Sequence, residues 1–497
     1  MINTAFNSFI KCSIESGILN PSDKIWAENL IASRLGLDEV PTSDSADLSF
    51  VESLSALSGF AAEKGIIEDT SGERDIFETE LAGLITPPPS VIIEKFKSLY
   101  EKSPRQATDW FYSLCRNNNY IRVEDIAKNI EYTTDTEFGA LEITINLSKP
   151  EKDPRDIARA AKAVSANYPK CALCPENEGY KGRSNHPPRA NLRIIPLTLQ
   201  GDNWGFQYSP YAYFNEHSIV LSFEHRPMAI HKKAFANLFD FIDIFPEYFI
   251  GSNADLPIVG GSILSHEHYQ CGRHTFPMMK AEIELPLEFK GYEDLICGKV
   301  NWPMPCIRIE GGNREKILDL ADKILLSWRG YTDEEAYVFA ETDGIPHNTV
   351  TPIAYKKNGN YILDLVLRNN ITTDECPMGL YHPHTDKHNI KKENIGLIEV
   401  MGMAILPARL KGELEEVERI IQNGENPLDN PKTAHHAEWI KEYELLPCDN
   451  LSEKIRNAVG KTFAAVLLDA GVYKPCENEA FLKFIKYVNK GAVAKRF

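Results

Sequence analysis

The pair Cys171-Ala-Leu-Cys174 constrains this chain more than any other local feature. Two thiolates three residues apart make half of a tetrahedral zinc site, which needs four ligands in all. No second Cys-x-x-Cys occurs among the ten cysteines, so histidines must supply the other half from distant segments. His225 follows the apolar run Ser218-Ile-Val-Leu-Ser-Phe223, and His266 opens a second candidate row; a fold that satisfies the set brings these segments together. The alternative is a redox pair, but a strand running directly into a helix, the usual setting of such pairs, is absent around Cys171.

His266, His268 and Gln270 are spaced by two after Gly260-Gly261, and the stretch to Thr275 alternates as an extended segment does. In a strand this spacing puts all three side chains on one face. Three readings follow: two ligands of one metal, one ligand beside one catalytic imidazole, or two hydrogen-bonded structural residues. If His266 joins Cys171, Cys174 and His225, His268 is left as a free imidazole on a fixed scaffold. A neutral ring nitrogen is nucleophilic near pH 7 and can attack phosphorus, and the amide of Gln270 can donate to a phosphoryl oxygen as charge builds there.

Composition narrows the class. Asp plus Glu number 71 against 54 for Lys plus Arg, a net charge of −17, which gives no basic field for nucleic acid. The 43% hydrophobic and 10% aromatic contents are those of a folded globular chain. Met1 to Asn20 lacks a basic, then apolar, leader, and no stretch reaches the ~20 apolar residues of a membrane span. A cytoplasmic protein is expected, and the scattered cysteines do not form a disulfide framework.

Residues 1 to 130 read as helical, with apolar residues at three and four in Pro21 to Leu37 (Ile25, Trp26, Leu30, Ile31, Leu35) and Val91 to Tyr100; Ser90, after Pro87 to Pro89, is the expected N-cap. From Leu141 the texture turns β-rich. Strands are expected at Leu141 to Asn146, Ser218 to Phe223, Met304 to Ile309, Ala336 to Glu341 and Tyr361 to Leu367. Helices are expected at Ala234 to Ile250 and Arg314 to Trp328, a charged loop with Lys149, Lys152 and Arg155 precedes the Cys pair, and Pro286 to Val300 reads as a linker. The region from Gly396 is mainly helical. The fold class is α+β, a helical segment 1–130 followed by two β-rich halves, 131–290 and 291–497.

The His-x-His-x-Gln row within Gly261 to Gln270, the upstream Cys pair and Ile219-Val-Leu-Ser-Phe-Glu-His225 together resemble the galactose-1-phosphate uridylyltransferases, a branch of the histidine triad superfamily. Cys171 to Tyr180, Trp204 to Pro210 and Glu393 to Gly402 resemble the longer, bacterial second class. The resemblance covers most of residues 130 to 410. It implies two histidine-triad-like antiparallel units, a structural zinc on Cys171, Cys174, His225 and His266, and His268 as the nucleophile that accepts UMP, with Gln270 against the transferred phosphate. It further implies UDP-glucose and galactose 1-phosphate as substrates, galactose metabolism as the setting, and a homodimer, with no nucleic-acid or membrane partner.

Two departures stand out. The better-known class has Pro between its two active-site histidines, where this chain has Glu267, and a phosphate-binding Ser three before the first, where it has Ile263, flanked by Ser262 and Ser265. Asn253 falls near the place of a phosphate-contacting Asn, and Glu399 near a carboxylate that touches the hexose. Trp204, Phe206, Tyr208 and Tyr211 could stack a uracil or belong to the core; Arg183, Arg189 and Arg193 could neutralise a diphosphate or be solvated. His382-Pro-His384 reproduces the better-known motif, but Asp386 stands where Gln is needed and would repel phosphate. With His388, these histidines are expected to line the site, bind a further metal or make structural hydrogen bonds. Two other readings stand beside the transferase: a hydrolase or phosphorylase of the same superfamily, and a noncatalytic, zinc-stabilised binding protein.

Overall fold

The computed structural model describes residues 2–42, 45–148, 155, 159, 160, 166–261 and 263–491; Lys149, Lys152 and Ser262 lie outside them. Contacts divide the chain into two compact units, Met1–Ala127 with Ser148–Arg226, and Lys128–Leu147 with Pro227–Phe497. The architecture is α+β.

In the first unit, helices Ile2–Glu15, Lys24–Arg34, Phe50–Glu63 and Ser71–Ile85 close on a core that includes Phe6, Phe9, Leu54, Leu57, Phe77 and Leu81. Local chemistry sets their starts. Ser49 and Glu52 form a capping box at Phe50, and the Thr70 side chain accepts the Glu73 amide. The expected cap at Ser90 is not used. The helix Pro89–Tyr100 starts two residues earlier, with Pro88 as N-cap and Pro89 in its first turn, where the missing N–H costs nothing. The helix Lys24–Arg34 buries Ala27, Ile31 and Ala32, while Ile25 and Trp26, expected inside, are 72% and 56% exposed.

The same unit carries an antiparallel sheet of Ile195–Leu199, Asp202–Tyr208 and Ser218–Ser222. Phe206 and Tyr208 on its middle strand are fully buried against Phe111 of the helix Pro104–Asn117.

The second unit is built on seven antiparallel strands in the order His268–Gly272, Phe249–Gly251, Asn348–Lys357, Asn360–Asn369, Cys306–Gly311, Ile296–Val300 and Ile283–Pro286. The expected linker 286–300 is loop and turn only as far as Leu295 and ends in the strand Ile296–Val300, and the expected strand Ala336 to Glu341 is a short 3-10 turn followed by a two-residue bridge at Glu341–Thr342. The expected helix Ala234 to Ile250 stops at Ile244, because Pro246 lacks an amide hydrogen and disfavours a helical residue before it. The chain after it forms Phe249–Gly251, which pairs beside the His268 strand. A separate sheet pairs Ile130–Thr136 antiparallel and Met403–Leu406 parallel to Gly139–Ile145. Helices Arg409–Asn423, Leu451–Ala470 and Asn478–Asn489 follow, in the region from Gly396 that is expected to be mainly helical. Among the described residues no helix is long and apolar enough to cross a membrane.

Candidate functional site

In the first unit the Cys171–Cys174 turn is organised by Asn177. Its Nδ2 donates to the carbonyls of Cys171 and Cys174 at 2.8 and 2.7 Å, and its Oδ1 lies 2.7 Å from Nε2 of His186. Burial, with Arg183 and Arg189 nearby, pushes the His186 imidazole down to about 4, so the ring is neutral at pH 7. The sulfurs stand 3.6 Å apart, and Nδ1 of His225 is 3.7 Å from Cys171 Sγ and 3.2 Å from Cys174 Sγ. Tetrahedral bonds of ~2.3 Å to sulfur and ~2.0–2.1 Å to nitrogen separate ligand atoms by about 3.6–3.8 Å, so this Cys/His cluster has the spacing and donor set of a zinc site. Burial raises the Cys174 thiol to about 11, and a bound cation would hold it as thiolate. Asn177 and His186 were not read as functional from sequence; the only local signal is an Asn three residues after the second Cys.

In the second unit His268 is the first residue of its strand, and His266 lies in the bend just before it. The one-face row therefore holds for His268 and Gln270, two apart in the strand, and not for His266. His266 is fully buried and acts on its neighbour through the backbone: its carbonyl oxygen is 2.8 Å from Nδ1 of His268. With Nδ1–H donating there, Nε2 keeps its lone pair. Burial depresses the His268 imidazole to about 4, against the raising effect of that hydrogen bond, so the neutral, nucleophilic form prevails. Glu267, in the place of the better-known Pro, is buried, accepts from Tyr269 Oη at 3.0 Å, and Asn237 Nδ2 donates to that hydroxyl at 3.1 Å.

Gly261 brings the loop onto Asn253, where a Cβ would sit 2.3 Å from Asn253 Nδ2. Asn253 Oδ1 accepts the Leu397 amide at 2.9 Å, and Glu399 Oε2 accepts that of Gly396 at 3.1 Å, so both residues hold the start of the turn Leu397–Val400. Glu399 Oε1 is paired with Lys391 Nζ at 2.9 Å. Asn253 and Glu399 are brought to one place by this turn.

The other expected binding residues are differently employed. Phe206 and Tyr208, with Trp204, expose no face on which a base could stack; they are core, as the second reading of the aromatic run has it. Arg193 is 6% exposed and spends its guanidinium on the carbonyls of Thr86, Pro87, Ala190 and Leu192. Arg183 donates to the Tyr168 and Ala166 carbonyls and to Tyr180 Oη, and Arg189 to the Pro188 carbonyl. His382 is buried with Nε2 3.0 Å from Asn394 Oδ1, His388 Nε2 lies 2.9 Å from the Pro383 carbonyl, and His384 faces Asp469. His382 and His388 thus make hydrogen bonds within the fold, while His384 groups with Asp386 and Asp469 as a set that could hold a metal ion. Arg155 is exposed.

An α+β chain with a thiol–imidazole cluster and an oriented, neutral imidazole is equipped as an enzyme. Two family models cover most of it: galactose-1-phosphate uridyl transferase, N-terminal domain, over residues 21–227, and C-terminal domain over 241–439. Proteins named galactose-1-phosphate uridylyltransferase are 49% identical in Clostridium acetobutylicum (98% of this chain, 99% of that one) and 50% identical in Ligilactobacillus salivarius (97% and 98%). One named galactose-1-phosphate uridylyltransferase 1, from Streptococcus pneumoniae, is 48% identical over 98% of this chain and 99% of its own. Among solved structures, yeast Ap4A phosphorylase Apa2 in complex with Ap4A aligns at 9% identity and a TM-score of 0.35 over 66% of this chain and 92% of that one, too distant to inform the site. The chain belongs to the galactose-1-phosphate uridylyltransferase family and is a nucleotidyltransferase.

Proposed function

We propose that the enzyme moves UMP from UDP-glucose to galactose 1-phosphate in two displacements through a uridylyl group on Nε2 of His268. The observation that carries this is the 2.8 Å contact of His268 Nδ1 with the His266 carbonyl, which leaves Nε2 as the attacking atom. Its lone pair forms the N–P bond to the α-phosphorus, and the P–O bond to glucose 1-phosphate breaks, the electron pair leaving on the phosphate oxygen. The imidazolium that forms keeps its proton on Nδ1, which goes on donating to the His266 carbonyl. A phosphate oxygen of galactose 1-phosphate then attacks phosphorus, the P–N bond breaks, and the neutral ring returns. Gln270 offers its amide to the phosphoryl oxygens.

On the family resemblance, Cys171, Cys174, His225 and His266 are the proposed zinc ligands. Zinc would be structural, fixing the residue whose carbonyl orients His268; no step passes through it. Family membership and full-length relatives of that name support these substrates, and with them a place in galactose metabolism. A cytoplasmic homodimer is proposed on the same resemblance.

The test is to incubate the protein with UDP-glucose and labelled glucose 1-phosphate alone. A transferase with a covalent intermediate moves label into UDP-glucose without galactose 1-phosphate. Continuous UMP release instead would make it a hydrolase, and neither outcome would leave a binding protein.

A further inference from the structure

Away from the residues above, one cluster in the second unit carries the donor set of a cation site. Glu413 lies on the helix Arg409–Asn423, and His435 and His436 close the turn Ala434–His436 that precedes the helix Ala437–Glu442. Nε2 of His435 is 3.2 Å, and Nε2 of His436 3.1 Å, from the same oxygen, Oε2 of Glu413. The two ring centroids are 4.1 Å apart. Ligand atoms around a tetrahedral ion with bonds of ~2.0–2.1 Å stand about 3.3 Å apart, so each nitrogen is already at ligand spacing from the Glu413 oxygen, and the three ligand atoms lie within 4.8 Å of one another.

Asn389 supplies an independent observation. It is 6% exposed, its Nδ2 lies 3.1 Å from Nδ1 of His436, and its Oδ1 is buried with no hydrogen-bond partner. Turning the amide over sets Oδ1 against Nδ1. The oxygen then accepts the Nδ1–H of His436, and Nε2 is left with the lone pair a metal requires. An outer partner that fixes the tautomer of a ligating imidazole is a general attribute of metal sites. His435 is 41% exposed at its side chain, which leaves a fourth position open to water.

Arg409 also faces the cluster. It donates to Glu413 Oε2 and to the carbonyls of His388 and Asn389. Its charge keeps Glu413 ionised and offsets the carboxylate's attraction for a cation, so the two imidazoles must supply most of the affinity and binding will be weaker than at a thiolate cluster.

We infer that Glu413, His435 and His436 form a divalent-cation site, separate from the cysteine cluster and of the imidazole–carboxylate type that takes zinc-like ions. The ion would clamp the turn 434–436 to the helix Arg409–Asn423 and so stabilise this part of the unit.

The probe is Co2+, titrated into untagged, full-length protein stripped of loosely bound metal. One equivalent should bind without a thiolate-to-cobalt absorption band and raise Tm by a few degrees. His435→Ala, at an exposed position, and Glu413→Gln should each lose that equivalent and its Tm increment while keeping any thiolate-bound cobalt. Equal uptake by the wild type and His435→Ala overturns the site, as does a wild type in which all bound cobalt carries the thiolate band.

Discussion

The backbone carbonyl of His266 stands 2.8 Å from Nδ1 of His268 and so decides which ring nitrogen of His268 carries the proton. A backbone oxygen can accept but not donate, so the bond selects the tautomer with Nδ1 protonated and Nε2 free. The prediction is that His268→Ala abolishes label exchange between glucose 1-phosphate and UDP-glucose, by on the order of 10⁴-fold or more, as loss of a covalent nucleophile does elsewhere. Near-UV spectra and Tm should stay close to wild type. Residual exchange within about tenfold of wild type would remove His268 from the nucleophile's role.

Asn177 ties both cysteine carbonyls to His186 and is 1% exposed, so Asn177→Ala strands two carbonyls and an imidazole in a buried setting. A loss of about 2–4 kcal/mol is expected from the unmade bonds, read by urea unfolding. Metal content should be more informative. With the turn loosened, the proposed zinc should exchange into a chelator faster than from the wild type, and an unchanged rate would show that Asn177 does not position the thiols.

His186 gives a pH dependence of definite sign. Its folded imidazole titrates near 4, held down first by burial and then by Arg183 and Arg189, whereas an unfolded histidine titrates at ~6.5. Between these values the unfolded chain binds the extra proton and the folded one does not. The contribution of a neutral His186 is therefore complete above pH ~6.5 and is lost as the pH falls toward 4, an effect of about 1–3 kcal/mol after allowance for solvent screening. Unfolding free energies measured from pH 7 to 4.5 should fall less steeply for His186→Gln than for the wild type. Parallel curves would count against a buried neutral ring.

The parts of the fold that follow local period were legible from sequence. The helices of residues 1 to 130, the strand at Ser218, and Arg314–Arg329 all form where they are expected, although Ile25 and Trp26 of the apolar spacing face outward. The strand Asn348–Lys357 did not announce itself, because Pro352 stands in its middle, opposite Leu365, where a central strand normally excludes proline. Of the candidate site, the thiol pair, His225 and His268 were visible as residue types at telling intervals. The carbonyl that orients His268 was not, since every residue has one and only the bend before the strand aims it. Phe206 and Tyr208 show the converse error. Alternating aromatics look alike on a ligand-facing strand and on one covered by a helix, and Phe111, which covers them, is about a hundred residues away in sequence.

Arg193 offers the sharpest contrast between what a residue type suggests and what its surroundings make of it. An arginine after a cysteine pair in an enzyme of diphosphate substrates invites assignment to the phosphates. Its donors instead reach the Pro87 carbonyl at 2.7 Å, Thr86 at 2.9 Å, Ala190 at 3.0 Å and Leu192 at 2.7 Å, pinning the segment before the helix Pro89–Tyr100 to the loop before the strand Ile195–Leu199. Glu178, whose carboxylate accepts the Ile194 amide, eases the burial of this charge. Lysine keeps the charge but brings one nitrogen with three donors, too few and too divergent to serve four carbonyls. Arg193→Lys should therefore cost about 2–4 kcal/mol in urea unfolding, while KM for UDP-glucose changes by less than about twofold. A tenfold rise in KM at unchanged stability would return Arg193 to the substrate and contradict the carbonyl clamp.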